Sequence, residues 1–144
     1  MKLDNVDLSI IKELQRDSRL SMRELGRKIK LSAPSVTERV RQLESFGVIK
    51  RYTLDIDQKK IGLPVSCIVE ATVKNGKYDQ FKTYIQSIPN IEFCFRIAGA
   101  ACYMLKMNAD SLETIEHFID RTSPYVQTVT HVIFSEIDTK NVLD

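Results

Sequence analysis

The hydrophobic positions of this chain change period partway along it. Over the first 50 residues they recur at helical spacing: Val6, Ile10, Ile11 and Leu14, then Met22, Leu25 and Ile29, then Val36, Val40 and Leu43. Apolar residues at such intervals line one face of a helix, so the pattern predicts three short helices, with Leu8 off the first stripe. The flanking residues agree. Asp4 can cap the first helix. Ser21-Met-Arg-Glu24 reads as a capping box, in which serine and glutamate each satisfy the other's backbone amide. Ser32 caps the third helix, and Pro34 is tolerated in its first turn because amides there have no intrahelical partner. Phe46-Gly47 ends it, with Gly47 supplying a left-handed residue. In RYTLDID the period becomes two: Tyr52, Leu54 and Ile56 alternate with Thr53, Asp55 and Asp57, a strand pattern. QKKIGLP, with Gly62 and Pro64, reads as a hinge.

Beyond the hinge, strand and helix patterns alternate. Val65, Cys67, Val69, Ala71 and Val73 share one strand face, and Phe81, Ile85 and Ile88 form a helical stripe stopped by Pro89-Asn90. Ile91, Phe93, Phe95 and Ile97 alternate again. Gly99-Ala100-Ala101 turns into CYMLKM. Leu112, Ile115, Phe118 and Ile119 mark a helix that stops before Pro124, and a long final strand is predicted from Val126 to Ile137. The order is β-α-β-β-α-β, the ferredoxin-like arrangement of an antiparallel sheet with both helices on one face. The other face needs a cover, and a second subunit is the expected candidate. The predicted class is therefore α+β. Residues 1–50 form a winged-helix-like helix-turn-helix domain, 51–63 a strand and hinge, and 64–144 an α/β domain for oligomerisation and effector binding.

Composition narrows the function classes. No apolar run reaches the ~18 residues of a membrane span. The start, MKLDNVDLSI, carries acids where a signal peptide would be apolar. Both point to a cytoplasmic protein with no membrane partner. Cys67, Cys94 and Cys102 have no CxxC or Cys/His ligand spacing, so buried thiols are expected and no metal. Residues 1–60 hold 14 basic and 9 acidic side chains, against 7 and 10 in residues 61–144. A basic front half fits a polyanionic partner, although a bias of this size also occurs on plain solvated surfaces. There is no Gly-x-Ser-x-Gly elbow, phosphate loop, dinucleotide glycine motif or HExxH, so neither an enzyme nor a cofactor is predicted. Asp55 and Asp57 share a strand face, with no cleft to argue around them.

The third helix carries the chemistry. With Val36, Val40 and Leu43 buried, Ser35, Thr37, Glu38, Arg41 and Gln42 spread over its exposed side. Arginine can pair with guanine, glutamine with adenine, and serine or threonine with bases or phosphates. Ser32 and the free amides at the helix start can hold a phosphate. Arg27, Lys28, Lys50 and Arg51 flank the helix and can grip the DNA backbone on either side. Arg39 adjoins buried Val40, and either joins this set or pairs inside the small domain. The same residues also fit a solvated face on which Glu38 and Arg41 pair with each other. Two rival functions remain: a metabolite-binding oligomer whose helical N-terminus mediates protein contacts, and an enzyme with a pocket at the α/β interface. A protein-docking helix should expose apolar anchors, and this one exposes almost none.

The pieces LDNVD, LQRDSRLS, the KLS turn, ERVRQLE, GVIKRY and the terminal IG of residues 61–62 together resemble the N-terminal half of the Lrp/AsnC transcription regulators. The downstream β-α-β-β-α-β order is similar to that family's regulatory domain, so the resemblance covers nearly the whole chain. It implies a bacterial or archaeal regulator that binds double-stranded DNA, dimerises through its C-terminal sheet, assembles into tetramers or octamers, and bends or wraps DNA. It also implies an amino acid or other small effector bound between dimers near the loop joining the second and third strands. Here that loop is Gly99, Ala100, Ala101, Cys102 and Tyr103. Thr128, Thr130 and His131 are candidates for the same pocket, or are ordinary sheet residues. The family usually places acidic and aromatic residues after the glycine. This chain has Ala100, Ala101 and Cys102, so an amino acid's ammonium group lacks its carboxylate partner. The expected effector is therefore different, weakly bound or absent. His117 reads as a surface residue.

Overall fold

The computed structural model describes residues 2–137 and residue 139. They form two compact units that divide between Asp55 and Ile56, each with its own core. The first unit holds α1 (Asn5–Arg16), α2 (Met22–Ile29) and α3 (Ala33–Ser45). Ile10, Leu14, Leu25, Val36, Val40 and Leu43 are its buried core, and Leu8 is 43% exposed, as its place off the stripe requires. The caps at Asp4, Ser21 and Ser32 each accept a backbone N–H three residues on. The tight turn from α2 to α3 rests on two backbone features. Lys30 adopts the left-handed conformation (φ 60°), and the Leu31 amide donates to the Gly26 carbonyl at 2.9 Å. Gly26 sits mid-helix because a Cβ there would lie 2.5 Å from the Leu31 carbonyl oxygen. Any side chain would push α3 away from α2.

A charged clamp joins α1 to α3. One Arg39 guanidinium nitrogen donates to Asp4 Oδ2 and to Asp7 Oδ1, both at 2.8 Å. Asp4 and Asp7 also hold each other's backbone amides in a capping box. The Asp7 side chain is 4% exposed, so its charge is tolerated only because the guanidinium and the Asp4 amide surround it.

The expected strand in RYTLDID is absent. Residues 51–57 belong to no ladder, and Tyr52, Leu54 and Ile56 are exposed. Alternation supplies a strand face, but a strand also needs a neighbouring backbone, and none of the described residues provides one. Tyr52 donates its hydroxyl to Glu44 at 2.9 Å, and partial desolvation around that hydroxyl, with the Glu44 carboxylate beside it, pushes the phenol up to about 12.

After a 3-10 turn at Gln58–Ile61, the second unit runs β1 (Val65–Val73), α4 (Tyr78–Ser87), β2 (Ile91–Arg96), β3 (Tyr103–Ala109), α5 (Leu112–Thr122) and β4 (Val126–Val132). The strands form one antiparallel sheet in the order β2-β3-β1-β4, so the βαββαβ expectation holds. Cys67, Val69, Ala71, Leu105 and Met107 face Phe81 of α4 and Ile115 and Phe118 of α5. Burying an aromatic such as Phe81 contributes about 2 kcal/mol. Leu112 departs from its predicted stripe and is 60% exposed.

Two strand expectations need correction. β2 has a bulge between Ile91 and Phe93: Ile91 pairs with Met107, but Phe93 pairs with Lys106, Cys94 with Leu105 and Phe95 with Met104. The extra residue flips the alternation, so Cys94 packs toward the core while Phe93 and Phe95 turn to the opposite face. There the two rings stack, with centroids 4.8 Å apart. The last strand ends at Val132 instead of running on to Ile137: its register with β1 closes at the Cys67–Val132 pair, and the Ile133 amide makes one further bond, to the Ser66 carbonyl. Phe134 and Ile137 are exposed. No helix among the described residues is long and apolar enough to cross a membrane.

Acid should loosen the first unit. Asp4 is held below the usual carboxylate range by the Asp7 amide and then by Arg39, Glu13 by Lys28, and Glu24 by Ser21. Lowered folded-state values mean this stabilisation is complete above the unfolded values, about 4, and is lost as pH falls through the folded ones. Amide exchange protection of residues 5–45, corrected for intrinsic rates, should fall between pH 6 and pH 3, and fall less in Asp4→Asn. Equal protection at both pH values would contradict this.

Candidate nucleic-acid interface

α3 presents its polar side as the spacing requires, with Val36, Val40 and Leu43 turned inward and Ser35, Thr37, Glu38, Arg41 and Gln42 exposed. At its start the Ser32 and Ser35 hydroxyls lie 2.8 Å apart, and Ser32 also accepts the Ser35 amide. The Thr37 hydroxyl donates back to the Ala33 carbonyl, leaving its oxygen free to accept. Glu38 accepts from Gln42 at 3.2 Å and pairs with Arg41 at 3.5 Å. That is the pairing a solvated face would show. With Arg41 77% and Glu38 57% exposed, such a pair contributes no more than about 1 kcal/mol and is readily exchanged for a phosphate or a base.

The other basic candidates separate by their partners. Arg39 is drawn into the clamp, because α3 turns it toward the N-terminus of α1, where two carboxylates meet it. It supports the helix and does not extend outward from it. Lys28 pairs with Glu13 at 3.0 Å and ties α2 to α1. Arg27, Lys50 and Arg51 are exposed and make no ion pair among the described residues. Two residues that build this surface escaped sequence reasoning. Asp7 hides because Asp-x-x-Asp is a weaker capping signal than Ser-x-x-Glu. Gly26 could have been noticed as an isolated glycine inside a helical stripe.

The second candidate site, the 97–102 loop, differs more from expectation. Gly99 and Ala100 are exposed, and Ala101 and Cys102 half-buried. Tyr103, proposed as an effector contact, is instead 5% exposed, its ring 5.0 Å from that of Phe81. The bulge in β2 is the reason Arg96 joins it. The Arg96 guanidinium lies 4.6 Å from the Tyr78 ring centre and 5.1 Å from that of Tyr103, and donates to the Cys102 carbonyl. The Val73 amide, then the Tyr78 hydroxyl and Arg96, hold the Cys102 thiol below its ordinary range, whereas burial pushes Cys67 and Cys94 up.

Thr128 pairs with Ala71, which pairs with Tyr103 on its other side, so the three share one row across the sheet. Thr130 lies in the row of Val69 and Leu105, its hydroxyl buried without a hydrogen-bond partner among the described residues. His131 points to the opposite face, 3.6 Å from Glu70, so it cannot share a pocket with the two threonines. His117 is exposed on α5. No group of His, Cys, Asp or Glu side chains suited to a metal occurs among the described residues.

Comparison with known proteins agrees with this division of labour. Residues 3–44 match the AsnC-type helix-turn-helix domain, and residues 66–143 the Lrp/AsnC ligand binding domain. The chain is 80% identical over 141 residues to the HTH-type transcriptional regulator LrpC of Bacillus subtilis, covering 98% of each chain. The solved structure of B. subtilis LrpC superposes with a TM-score of 0.94, over 97% of this chain and 100% of that one. A feast or famine regulatory protein from M. tuberculosis, complexed with L-methionine, superposes with a TM-score of 0.90 at 28% identity, over 97% of both chains. With a helix-turn-helix module followed by a βαββαβ module, both matched in this order, the chain belongs to the Lrp/AsnC family.

Proposed function

We propose that this protein binds duplex DNA through the exposed side of α3 and joins copies of itself through the uncovered face of its sheet. It is a DNA-binding transcriptional regulator of the Lrp/AsnC type and not an enzyme. The observation that carries the DNA reading is the exposed side of α3. Ser35, Thr37, Glu38, Arg41 and Gln42 are displayed there on a helix whose placement is fixed by the Gly26 turn and the Arg39 clamp. Arg41 and Gln42 have the chemistry of base edges. Ser32, Arg27, Lys28, Lys50 and Arg51 have that of phosphates. No large apolar side chain is exposed between Ala33 and Ser45, which disfavours a protein-docking helix.

Residues 1–50 are the proposed DNA-binding domain, 51–63 the linker, and 64–144 the part that oligomerises and receives effectors. The assembly reading rests on the open sheet face, where Phe95 (59% exposed) and Val129 (53%) lie with Phe93 and Met104 opposite the helices. An apolar patch on a sheet face fits an interface between copies. A dimer would place two reading helices about 34 Å apart along DNA. Tetramers or octamers would add avidity and favour bent or wrapped DNA in a cytoplasmic, nucleoid-associated protein. The related M. tuberculosis protein binds L-methionine. Here the Ala100-Ala101-Cys102 sequence and the buried Tyr103 ring leave the loop without an anionic side chain for an ammonium group, which supports a different effector or none.

Arg41→Ala should weaken binding to an operator about tenfold while leaving random duplex little changed, since a bidentate arginine–guanine pair discriminates by about 1–3 kcal/mol. Equal losses on both DNAs would place Arg41 on phosphate. Phe95→Glu should shift the sedimentation profile toward single chains at micromolar concentration and weaken DNA binding through lost avidity. An unchanged profile would remove the open face from the assembly.

A further inference from the structure

The side chains that α3 displays are not independent of one another. Glu38, Arg41 and Gln42 stand at i, i+3 and i+4, the spacing that brings side chains together on one helix face. The Glu38 carboxylate divides itself between the other two. Its Oε1 accepts from the Gln42 Nε2 amide at 3.2 Å, and its Oε2 lies 3.5 Å from a terminal nitrogen of the Arg41 guanidinium. All three residues are exposed, so these contacts do not serve a core.

What each contact leaves open shows what it is suited to. A glutamine amide has two N–H donors and one carbonyl acceptor. With one N–H given to Glu38, Gln42 keeps a donor and an acceptor, the pair that adenine N7 and N6 require. A guanidinium carries five N–H donors in a rigid fork. Glu38 engages one terminal nitrogen of Arg41, and the rest of the fork stays open to guanine O6 and N7. Neither base contact has to break the contact to Glu38, and two long side chains already held lose less freedom on binding. A phosphate meets a different situation. Taking Arg41 leaves the carboxylate unpaired beside a second anion, and like charges placed together disfavour that arrangement. Arg27, Lys50 and Arg51, which flank the helix with phosphate chemistry, have no acid paired with them among the described residues.

We infer that Glu38 is the positioning residue for sequence discrimination: it directs Arg41 and Gln42 to base edges and away from phosphate, without itself touching DNA. The inference rests on α3 being the helix that reads DNA. Its test starts from duplexes that the full-length parent enriches out of a random-sequence library. Affinity for an enriched duplex, and for a scrambled duplex of equal composition, is read by anisotropy across a salt series. Glu38 is exposed and lies mid-helix, so Glu38→Ala should fold as the parent does. Its ratio of the two affinities should fall about tenfold, the loss of one bidentate base contact. Its salt slope on the scrambled duplex should steepen by about 0.9, as the released Arg41 takes a phosphate. In an Arg41→Ala background the same change should leave the slope as it was and cost much less of the ratio, the remainder being the share of Gln42. Glu38→Gln, which can accept from Gln42 but offers Arg41 no charge, should fall between parent and Glu38→Ala. An unchanged ratio in Glu38→Ala overturns the inference. So does an equal loss in both backgrounds, which would make Glu38 a DNA contact or a plain source of charge. A parent that enriches no sequence overturns the reading of α3 and this inference with it, a result distinct from a parent that enriches one and a Glu38→Ala variant that still discriminates.

Discussion

The first unit depends on one ion cluster, the Arg39 guanidinium between Asp4 and Asp7. Three short helices bury few side chains, and their packing alone leaves the direction of α3 loosely set. The clamp adds a directional constraint at the place where α1 begins and α3 passes it. Asp7 is almost wholly buried, so its charge is satisfied in one arrangement of the two helices and left unpaired in others. The Gly26 turn sets the approach of α2 to α3 in the same way, through backbone contact that admits no side chain. Together they fix which side chains α3 can show. Arg39 is spent on this constraint, and Arg41, two residues on, is left outward.

The second unit answers a different physical requirement. Its helices cover one sheet face and leave the other with Phe93, Phe95, Met104 and Val129. The bulge in β2 makes that face aromatic by turning two phenylalanines away from the core. Charged groups mark the same face. Lys106 is held between Glu92 and Glu136 at 3.1 and 2.9 Å, and His131 lies beside Glu70. Apolar area favours association, and fixed charges of both signs restrict which register is tolerated.

Most of the fold was legible in the sequence because it follows from period and capping. The three helical stripes, the Ser21 and Glu24 box and the order of strands and helices each leave a local trace. What was not legible depends on partners distant in sequence. RYTLDID alternates like a strand, but nothing local says whether a neighbouring backbone exists. The bulge at Ile91–Phe93 leaves no trace in an apolar run that reads equally well without it. Where β4 stops depends on its pairing with β1, far away in sequence. In the candidate site, helical geometry was enough to expect Ser35, Arg41 and Gln42 on the exposed side of α3. Whether Arg39 faces DNA or protein turned on Asp4 and Asp7, more than 30 residues away.

We propose that Arg39 acts by holding α3 and that DNA is met by other residues. The most direct test is fluorescence anisotropy of duplex DNA across a salt series, with the parent chain and Arg39→Gln side by side. Each phosphate contact contributes about 0.9 to the slope of log affinity against log salt. Steep salt dependence is expected in the parent, and weaker binding with an unchanged slope in the variant. No binding by the parent at low salt, or a variant slope shallower by about one contact, would contradict it.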